Sequence, residues 1–264
     1  MSQGTILFII DPQVDFCDPN GSLYVGGADK DITRMSKMIK NNVNAIDDIH
    51  LTLDSHHRVH IAHPIWWVDS NGNHPQPFTL IDADAVRKGK WRAYNPGYQA
   101  RSLEYVEALE RNARYVLCIW PPHCLIGTNG QTIMPELIDA LTDFEQQFAV
   151  VNKVTKGSNM FTEHYSAVKA DVIDPEDATT MLNEKLIKAL KTGDRIGILG
   201  EALSHCVANT VRDVADEFGA DQLKNCYLLT DACSNVTGFE KMGEDFINDM
   251  VARGMQLSTT TKFF

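Results

Sequence analysis

A cysteine lies where a predicted strand turns into a predicted helix. Residues 196–199 form a short apolar run typical of a buried parallel strand, and apolar residues at helical spacing begin at Val207. Cys206 lies between the two, where the first turn of a helix leaves backbone amides unpaired. The positive end of the helix dipole favours the thiolate form of a cysteine at such a position. The pattern predicts a nucleophile at Cys206, and the alternative is a small buried core residue.

The loop before this cysteine consists largely of small residues. Its backbone amides at Ala202 and Cys206 are predicted to face an oxygen that becomes negative when sulfur attacks a carbonyl carbon. A nucleophile and an oxyanion site are the two parts that covalent acyl transfer requires. The loop is therefore a candidate active-site loop.

Four further predicted strands end in residues that can transfer protons or bind a metal. They are Asp11 after the strand at 5–10, Asp54 after 50–53, His123 after 115–120 and Lys156 after 148–151. The carboxyl ends of parallel strands meet at one edge of a sheet, where ligand sites form. We therefore expect these residues to share one crevice with Cys206. Each alone is explained as an ordinary turn residue, but their coincidence at strand ends favours a catalytic site.

Strands alternate with helical patterns along the chain. Helices are predicted near 32–46, 99–112, 132–144, 181–190 and 239–251, and further strands near 226–229 and 255–258. This alternation predicts a parallel sheet covered by helices on both faces and connected by right-handed crossovers. A chain of 264 residues is long enough for one large α/β domain.

Residues 64–97 interrupt the alternation. This stretch is rich in glycine, proline and aromatic residues, has little periodicity, and is long for a connection within a compact domain. We expect a lid-like insertion within a single domain that spans 1–264.

Composition restricts the class of partner. The formal net charge of −11 disfavours nucleic acid and anionic membranes, so a small neutral or weakly charged substrate fits better. No apolar run approaches the roughly 20 residues that a membrane span needs, and residues 1–4 lack the pattern of a secretory leader. The six cysteines form no C-x-x-C pair, which favours free thiols in a cytoplasmic protein.

Five motifs in order resemble the nicotinamidase branch of the isochorismatase-like cysteine hydrolases. They are I-I-D-P-Q-V-D-F-C at 9–17, L-D-S-H-H-R-V-H at 53–60, W-P-P-H-C-L-I-G-T at 120–128, K-G to Y-S-A at 156–167, and G-E-A-L-S-H-C-V-A-N-T at 200–210. Each motif alone is weakly specific, but together they extend over nearly the whole chain. The resemblance implies a three-layer α/β/α fold with a central six-stranded, mainly parallel sheet. Because members of this family are often oligomers, it also implies a homo-oligomer.

The resemblance further implies a catalytic triad of Asp11, Lys156 and Cys206. The K-G and Y-S-A spacing selects Lys156 over the nearby Lys153. The turn at Glu201–Ala202 is expected to contain a cis peptide bond that shapes the oxyanion site.

A divalent metal site is implied as well. Its ligands would be Asp54, His56 and His123, with His60 and His63 as additional candidates and His57 and His74 as rivals. Two imidazoles and one carboxylate suit zinc first, with iron and manganese as alternatives. Phe16 and Trp120 match the aromatic walls that enclose a flat pyridine ring, and the metal would orient the ring nitrogen.

These roles are chemically consistent with amide hydrolysis. Asp11 can accept the thiol proton and pass it to the leaving ammonia, while Lys156 keeps Asp11 ionised. Attack by Cys206 on the carboxamide carbon gives a thioester that water hydrolyses. The first hypothesis is therefore a nicotinamidase, which converts nicotinamide to nicotinate and ammonia in NAD salvage.

Two other hypotheses stay open at this point. One is a related cysteine amidohydrolase that acts on another carboxamide or ureido compound; isochorismate hydrolysis is disfavoured because those members lack the cysteine. The other is a non-catalytic metabolite-binding protein with the same fold, which would have no need of an intact triad.

Overall fold

The computed structural model describes residues 4–112 and 115–264. The strands are β1 (Thr5–Ile10), β2 (Asp48–Asp54), β3 (Trp67–Val68), β4 (Leu80–Ile81), β5 (Arg92–Ala93), β6 (Leu117–Cys118), β7 (Val151–Lys156), β8 (Arg195–Gly200), β9 (Cys226–Leu229) and β10 (Gln256–Ser258). The helices are α1 (Val14–Cys17), α2 (Ala28–Asn42), α3 (Ala83–Arg87), α4 (Gln99–Arg111), α5 (Pro135–Glu145), α6 (Glu184–Leu190), α7 (Ala208–Phe218), α8 (Ala220–Leu223) and α9 (Glu240–Ala252).

Within these residues the central sheet has six strands in the order β10-β9-β8-β1-β2-β7, and every neighbouring pair is parallel. The predicted six-stranded sheet is confirmed. Ile6 to Ile10 of β1 are all buried, on both faces of the sheet. A strand covered on both faces has a continuous apolar sequence, and β1 has such a sequence.

Helices cover the sheet through apolar stripes. Ile32 and Met35 of α2 are buried, and α2 packs against α5. Val211 and Val214 of α7 are buried, and α7 packs against α9. The long helices predicted from 3.6-residue periodicity are confirmed within a few residues, except that α2 ends four residues earlier than its apolar pattern, at Asn42 and not at Ile46.

The strand predicted at 115–120 is wrong as a member of the central sheet. Only its middle, β6, is a strand, and it pairs antiparallel with β4. Beyond β6 the backbone bonds to loops: the N–H of Ile119 donates to the carbonyl of Thr79 (2.9 Å), and that of Trp120 to Ala62 (2.8 Å). The apolar run reflects burial against these loops. His123 therefore reaches the site from a loop.

The strand predicted at 148–151 is displaced along the chain. Phe148 is fully exposed with a positive φ of 66°, and β7 begins only at Val151. Because β7 is an edge strand, several of its side chains face solvent and it has no continuous apolar run. Lys156 is consequently the last residue of the strand.

The 64–97 segment is firmly attached to the rest of the fold. The indole N–H of Trp66 donates to Oγ of Ser102 (3.0 Å), and that of Trp67 donates to the carbonyl of Ile61 (2.7 Å); both indoles are buried. Near its two ends β3 pairs antiparallel with β5, and in its middle β4 pairs antiparallel with β6. The segment is hydrogen-bonded to the rest of the fold, and a lid-like role stays a prediction.

Within the described residues, no helix is both long enough and apolar enough to cross a bilayer. Residues 1–3, part of the stretch from which we predict no secretory leader, lie outside the described residues. A single domain over 1–264 and a cytoplasmic location stay predictions.

Candidate active site

The carboxyl edge of the sheet brings the five strand-end residues together. Asp11 follows β1, Asp54 ends β2, and Lys156 ends β7. β2 and β7 are neighbours in a register that places Asp54 opposite Lys156. Cys206 lies beyond β8, the other neighbour of β1. His123 joins them from its loop.

Lys156 lies between three side chains. Its Nζ is 2.8 Å from Oδ2 of Asp11, 3.1 Å from Oδ1 of Asp54 and 3.6 Å from Sγ of Cys206. All four residues are buried. Burial alone would lower the pKa of Lys156, but the two carboxylates raise it well above its usual value, so the lysine is charged. The structure thus brings the predicted triad into contact.

Asp11 is held in place by a threonine. The hydroxyl of Thr52 donates to Oδ1 of Asp11 (2.5 Å) and accepts from the Asp11 backbone N–H (3.0 Å). Asp11 has a positive φ of 46°, an uncommon backbone conformation for a non-glycine residue. The threonine occupies one carboxylate oxygen and leaves the other to Lys156.

The resting form of Cys206 differs from the expectation. Burial raises the pKa of Cys206 well above its usual value; Lys156 lowers it and Asp11 raises it. The helix-dipole argument for a thiolate was wrong because Cys206 lies inside a π-helical turn, Leu203–Val207, where desolvation dominates. Burial also raises the pKa of Asp11, against the effect of Lys156. A neutral thiol beside a carboxylate with a raised pKa is suited to proton transfer between them.

The turn before Cys206 has the expected cis peptide bond, between Glu201 and Ala202. Gly200 precedes it with a φ of 121°, and a Cβ there would lie 2.0 Å from the carbonyl oxygen of Ile10. Only glycine therefore fits where β8 meets the end of β1. Ala202 and Cys206 both line the cavity beside the sulfur, and their role as oxyanion donors stays a prediction.

Three predicted metal ligands converge a few ångströms from the triad. Nε2 of His56 is 2.9 Å from Oδ2 of Asp54, and Nε2 of His123 is 3.4 Å from the same oxygen. All three side chains are buried, and their ligand atoms are close enough to hold one ion.

The protonation pattern of these rings fits a metal site. Nδ1 of His56 lies 3.0 Å from the carbonyl oxygen of Gly157, and Nδ1 of His123 lies 2.8 Å from that of Pro121. A carbonyl oxygen can only accept a hydrogen bond, so each Nδ1 carries the hydrogen. In the neutral ring Nε2 then has a free lone pair. Both lone pairs then face the carboxylate of Asp54, an arrangement that needs a cation or a proton between them.

The two additional candidates, His60 and His63, differ in a decisive way. Nδ1 of His60 accepts from the backbone N–H of Ala62 (3.2 Å), and its Nε2 lies 3.2 Å from the carbonyl of Thr162. Both nitrogens of His60 are therefore in use. Nδ1 of His63 instead faces the carbonyl of Arg58 (3.1 Å), and among the described residues its buried Nε2 has no hydrogen-bond partner. Of His60 and His63, only His63 therefore has a free nitrogen lone pair.

A second group of possible ligands, His56, His60 and Glu163, is less suited to a metal. His60 has no free nitrogen, as described above. Burial raises the pKa of Glu163, which favours a neutral carboxyl group. The first group is therefore the better candidate for a metal site.

A small, mostly apolar cavity opens beside Cys206. Its apolar lining comes from Phe16, Leu23, Val25, Trp120, Tyr165 and Val236, and its polar lining from Asp54, His123, His205 and Cys206. Both predicted aromatic residues, Phe16 and Trp120, are part of this lining. The indole N–H of Trp120 donates to the hydroxyl of Tyr165 (2.6 Å), which fixes the larger ring. Aromatic and aliphatic side chains thus line the space next to the sulfur.

Comparisons with known proteins agree with this geometry. No family model and no curated protein sequence matches the chain, but solved structures do. The nicotinamidase/pyrazinamidase of Acinetobacter baumanii is 22% identical with a TM-score of 0.66, over 98% of this chain and 97% of that one. The yeast nicotinamidase bound to the inhibitor nicotinaldehyde is 19% identical with a TM-score of 0.66, over 97% and 99%. The pyrazinamidase of Pyrococcus horikoshii in complex with zinc is 20% identical with a TM-score of 0.58, over 97% and 98%.

This chain has the isochorismatase-like fold of the nicotinamidases. Each match extends over nearly the full length of this chain and of the compared chain. The 64–97 segment therefore does not set the fold of this chain apart from theirs.

Several residues that shape the site in this nicotinamidase-like fold were not found from the sequence. The side-chain amide of Gln13 donates to the carbonyl of Asp54 (2.7 Å) and accepts from its N–H (2.7 Å), which ties the ends of β1 and β2 together. Oδ2 of Asp15 accepts from the N–H of Cys124 (2.6 Å) and so positions the loop that carries His123. The D-P-Q-V-D motif contains both residues, and its polar spacing after β1 was the available signal.

Gly157 explains the K-G pair of the fourth motif. Its φ is 85°, and a Cβ there would lie 2.7 Å from Oδ1 of Asp54 and 2.9 Å from Cε1 of His56. A side chain at this position would displace Asp54 and His56, so glycine is required by these neighbours and not only by a turn.

A wider groove on the surface lies elsewhere, along α4. Its lining includes Arg101, Phe161 and Asp174 and none of the five strand-end residues. Arg101 already pairs with Asp174 (2.6 Å) and stacks over the ring of Phe161 (3.5 Å). The smaller cavity at Cys206 is therefore the candidate active site.

Proposed function

We propose that this protein is a metal-dependent nicotinamidase, an amidohydrolase that converts nicotinamide to nicotinate and ammonia. The observation that carries this proposal is the contact of Lys156 with Asp11, Asp54 and Cys206, which joins a complete cysteine triad to a metal-ligand set at one cavity. The fold shared with the nicotinamidases supports it, as does the inhibitor nicotinaldehyde in the yeast structure.

The triad supplies the chemistry of amide cleavage. Asp11 takes the proton of the Cys206 thiol while the sulfur attacks the carboxamide carbon and forms a tetrahedral oxyanion. The oxyanion is held by the amides of Ala202 and Cys206. Asp11 then gives the proton to the leaving nitrogen, so the C–N bond breaks, ammonia departs and a thioester remains on Cys206.

The second half of the cycle reverses these roles. Asp11, again a carboxylate, takes a proton from water as the oxygen attacks the thioester carbon. The C–S bond breaks, nicotinic acid forms, and the proton returns from Asp11 to the sulfur. Throughout, Lys156 offsets the negative charge that develops on the sulfur and the carboxylate, which a buried site would otherwise disfavour.

Asp54, His56 and His123 would hold the metal, with zinc as the first candidate; the pyrazinamidase of Pyrococcus horikoshii was solved with zinc. When bound, the ion supplies a Lewis acid that can take the ring nitrogen of the substrate. His63 is the favoured further ligand because its Nε2 is unpaired among the described residues and its ring centroid lies 5.4 Å from that of His56 and 5.7 Å from that of His123. His60 is disfavoured because both its nitrogens are occupied. Phe16 and Trp120 would enclose the ring.

The test is ammonia release from nicotinamide by the purified protein. The protein is assayed as isolated, after chelation, and after readdition of zinc, iron(II) or manganese, with Cys206→Ala as the control for contaminating activity. We expect release that disappears on chelation, returns with one of the metals and is absent in the variant. Folded, metal-loaded protein that releases no ammonia would contradict the proposal and point to another carboxamide or ureido substrate.

A further inference from the structure

One polar residue of the cavity has no role in the mechanism above. His205 directly precedes the nucleophile, is 6% exposed, and lines the cavity. Its ring meets those of Trp120 (5.1 Å between centroids), Tyr165 (5.4 Å) and Phe239 (4.9 Å) at steep angles. The ring is thus held by three aromatic side chains in an otherwise apolar part of the lining.

The neighbouring serine determines which nitrogen of His205 carries the hydrogen. Oγ of Ser204 accepts from the backbone N–H of Val236 (3.1 Å) and lies 2.9 Å from Nδ1 of His205. Ser204 is fully buried, and among the described residues Nδ1 is the acceptor that its hydroxyl hydrogen reaches. A buried hydroxyl left without an acceptor is unfavourable, so the O–H donates to Nδ1.

His205 is therefore a hydrogen-bond donor. Burial lowers the pKa of His205 to about 4, so the ring is neutral at ordinary pH and has one hydrogen. Because Nδ1 accepts from Ser204, that hydrogen is on Nε2. Across residues 4–112 and 115–264 the ring makes no other hydrogen bond, which leaves the Nε2–H for a group that enters the cavity.

A bound amide offers this donor few acceptors. Under the proposed function the pyridine nitrogen of nicotinamide faces the metal ligands, the carbonyl oxygen faces the turn at Ala202, and the amide nitrogen faces Asp11. The remaining edge of the pyridine ring carries only C–H groups. A ring with a second nitrogen, such as the pyrazine ring of pyrazine-2-carboxamide, retains a free acceptor.

We infer that His205 is a specificity-determining residue, whose Nε2–H favours heteroaromatic amides with a second ring nitrogen over amides with one. This inference rests on the proposed function and refines its substrate class. An unmet donor that is desolvated by the ligand costs affinity, whereas a matched acceptor restores the bond. Ser204 is the positioning residue that keeps the hydrogen on Nε2.

The experiment compares kcat/KM for pyrazine-2-carboxamide and nicotinamide on the metal-loaded protein. His205→Phe keeps an aromatic ring against Trp120 and Phe239 but has no donor, and we expect it to lower the pyrazine-to-pyridine ratio roughly fivefold, the effect of about one hydrogen bond. His205→Gln retains an N–H donor and should restore part of the ratio. Ser204→Ala, which frees the ring to move its hydrogen, should lower the ratio less than His205→Phe does.

Two further readouts separate this inference from the proposed function. Nitrogen-15 NMR of the histidine rings should show His205 protonated at Nε2 in the wild type and a mixture of tautomers in Ser204→Ala. Calorimetry on Cys206→Ala protein gives the Kd of both amides without turnover, with and without His205→Phe.

If nicotinamide is hydrolysed but the ratio is the same in wild type and His205→Phe, the inference on His205 is overturned and the proposed function stands. If neither amide is hydrolysed but the ratio of Kd values changes in His205→Phe, the inference stands and the proposed function fails. If neither amide binds, both fail.

Discussion

The two halves of the site differ in how completely their polar atoms are paired. In the triad half, each charged group faces an opposite charge or a donor: Lys156 meets Asp11 at 2.8 Å and Cys206 at 3.6 Å, and Thr52 donates to Asp11. In the histidine half, which consists of Asp54, His56, His123 and His63, nitrogen lone pairs face a carboxylate and one another. Nε2 of His63 has no partner within the described part of the chain.

The difference shows what the folded chain supplies and what it leaves to a ligand. Buried charges are tolerated when they are paired, as in the triad. Buried acceptors that face each other are tolerated only with a cation or a proton between them. The triad half is therefore complete without a ligand, whereas the histidine half needs a cation or a proton, and under the proposed function a metal would complete it. Lys156 connects the two through Asp54, at 3.1 Å.

The largest effect is expected from loss of the nucleophile. Cys206→Ala should lower kcat for nicotinamide on the order of 10⁴-fold or more, since the thioester route is removed. Zinc content, measured by atomic emission, should be unchanged because Cys206 is not in the histidine half. Cys226→Ala, a buried cysteine of β9, is the matched control and should retain activity. Loss of metal in Cys206→Ala would mean that the two halves are not separate.

Removal of the positive charge of Lys156, which contacts both halves of the site, should affect stability and activity together. Lys156→Met leaves Asp11 and Asp54 buried without their counter-ion, which should cost about 3–5 kcal/mol in the free energy of unfolding. Denaturant unfolding of the metal-free protein measures this cost. Lys153→Met, an exposed residue of the same strand, is the control and should unfold like the wild type. Equal stability of both variants would show that the triad half is not held by paired charges.

Substitutions of His60 and His63 test directly which of the two rings contributes a free lone pair to the histidine half. His63→Phe removes the free lone pair and should weaken zinc binding at least about 10-fold, as judged from the size of metal-site perturbations. His60→Phe breaks hydrogen bonds to Ala62 and Thr162, so it should lower Tm but change the Kd for zinc little. Competition with a chromophoric chelator gives both Kd values. If His60→Phe weakened zinc binding more than His63→Phe did, the assignment of the free lone pair to His63 would be wrong.

Metal affinity should also depend on pH in a defined direction. Although burial alone would lower the pKa of His56, Asp54 raises it above 6.5, so in metal-free protein a proton binds where the metal would. As pH falls through that raised pKa, zinc must displace this proton, and affinity should drop roughly tenfold per pH unit. His63, with a pKa lowered to about 3 mainly by burial, contributes no proton in this range.

Calorimetry in buffers of different ionisation enthalpy measures the proton release. At least one proton per zinc is expected below that pKa, and fewer above it. A pH-independent Kd across this range would contradict the assignment of His56 as a ligand.

The sequence predicted which residues meet, and less well how they reach each other. Asp54 and Lys156 end parallel strands and Asp11 directly follows one, and strand ends converge by geometry alone. His123 was predicted by the same rule but arrives from a loop, because the apolar run before it is buried by the 64–97 segment and not by the sheet. Its place beside Asp54 depends on Asp15, whose bond to Cys124 spans 109 residues.

The difference between His60 and His63 lay beyond sequence reasoning. His60 is the last residue of the 53–60 motif and His63 follows three residues later, and only backbone groups of Ala62, Thr162 and Arg58 determine which nitrogen is free. The protonation of Cys206 was likewise predicted in the wrong direction, since the dipole of a helix start was visible in the sequence and the depth of burial was not.

The most direct test of the account is to trap the acyl-enzyme. Metal-loaded protein is mixed with nicotinamide, quenched in acid during turnover, digested, and analysed by mass spectrometry for a nicotinoyl group on each of the six cysteines. We predict a nicotinoyl thioester on the Cys206 peptide alone, absent from Lys156→Met and from chelated protein. Turnover with the nicotinoyl group on another cysteine, or with unmodified Cys206 under conditions where ammonia release shows a burst, would contradict the account.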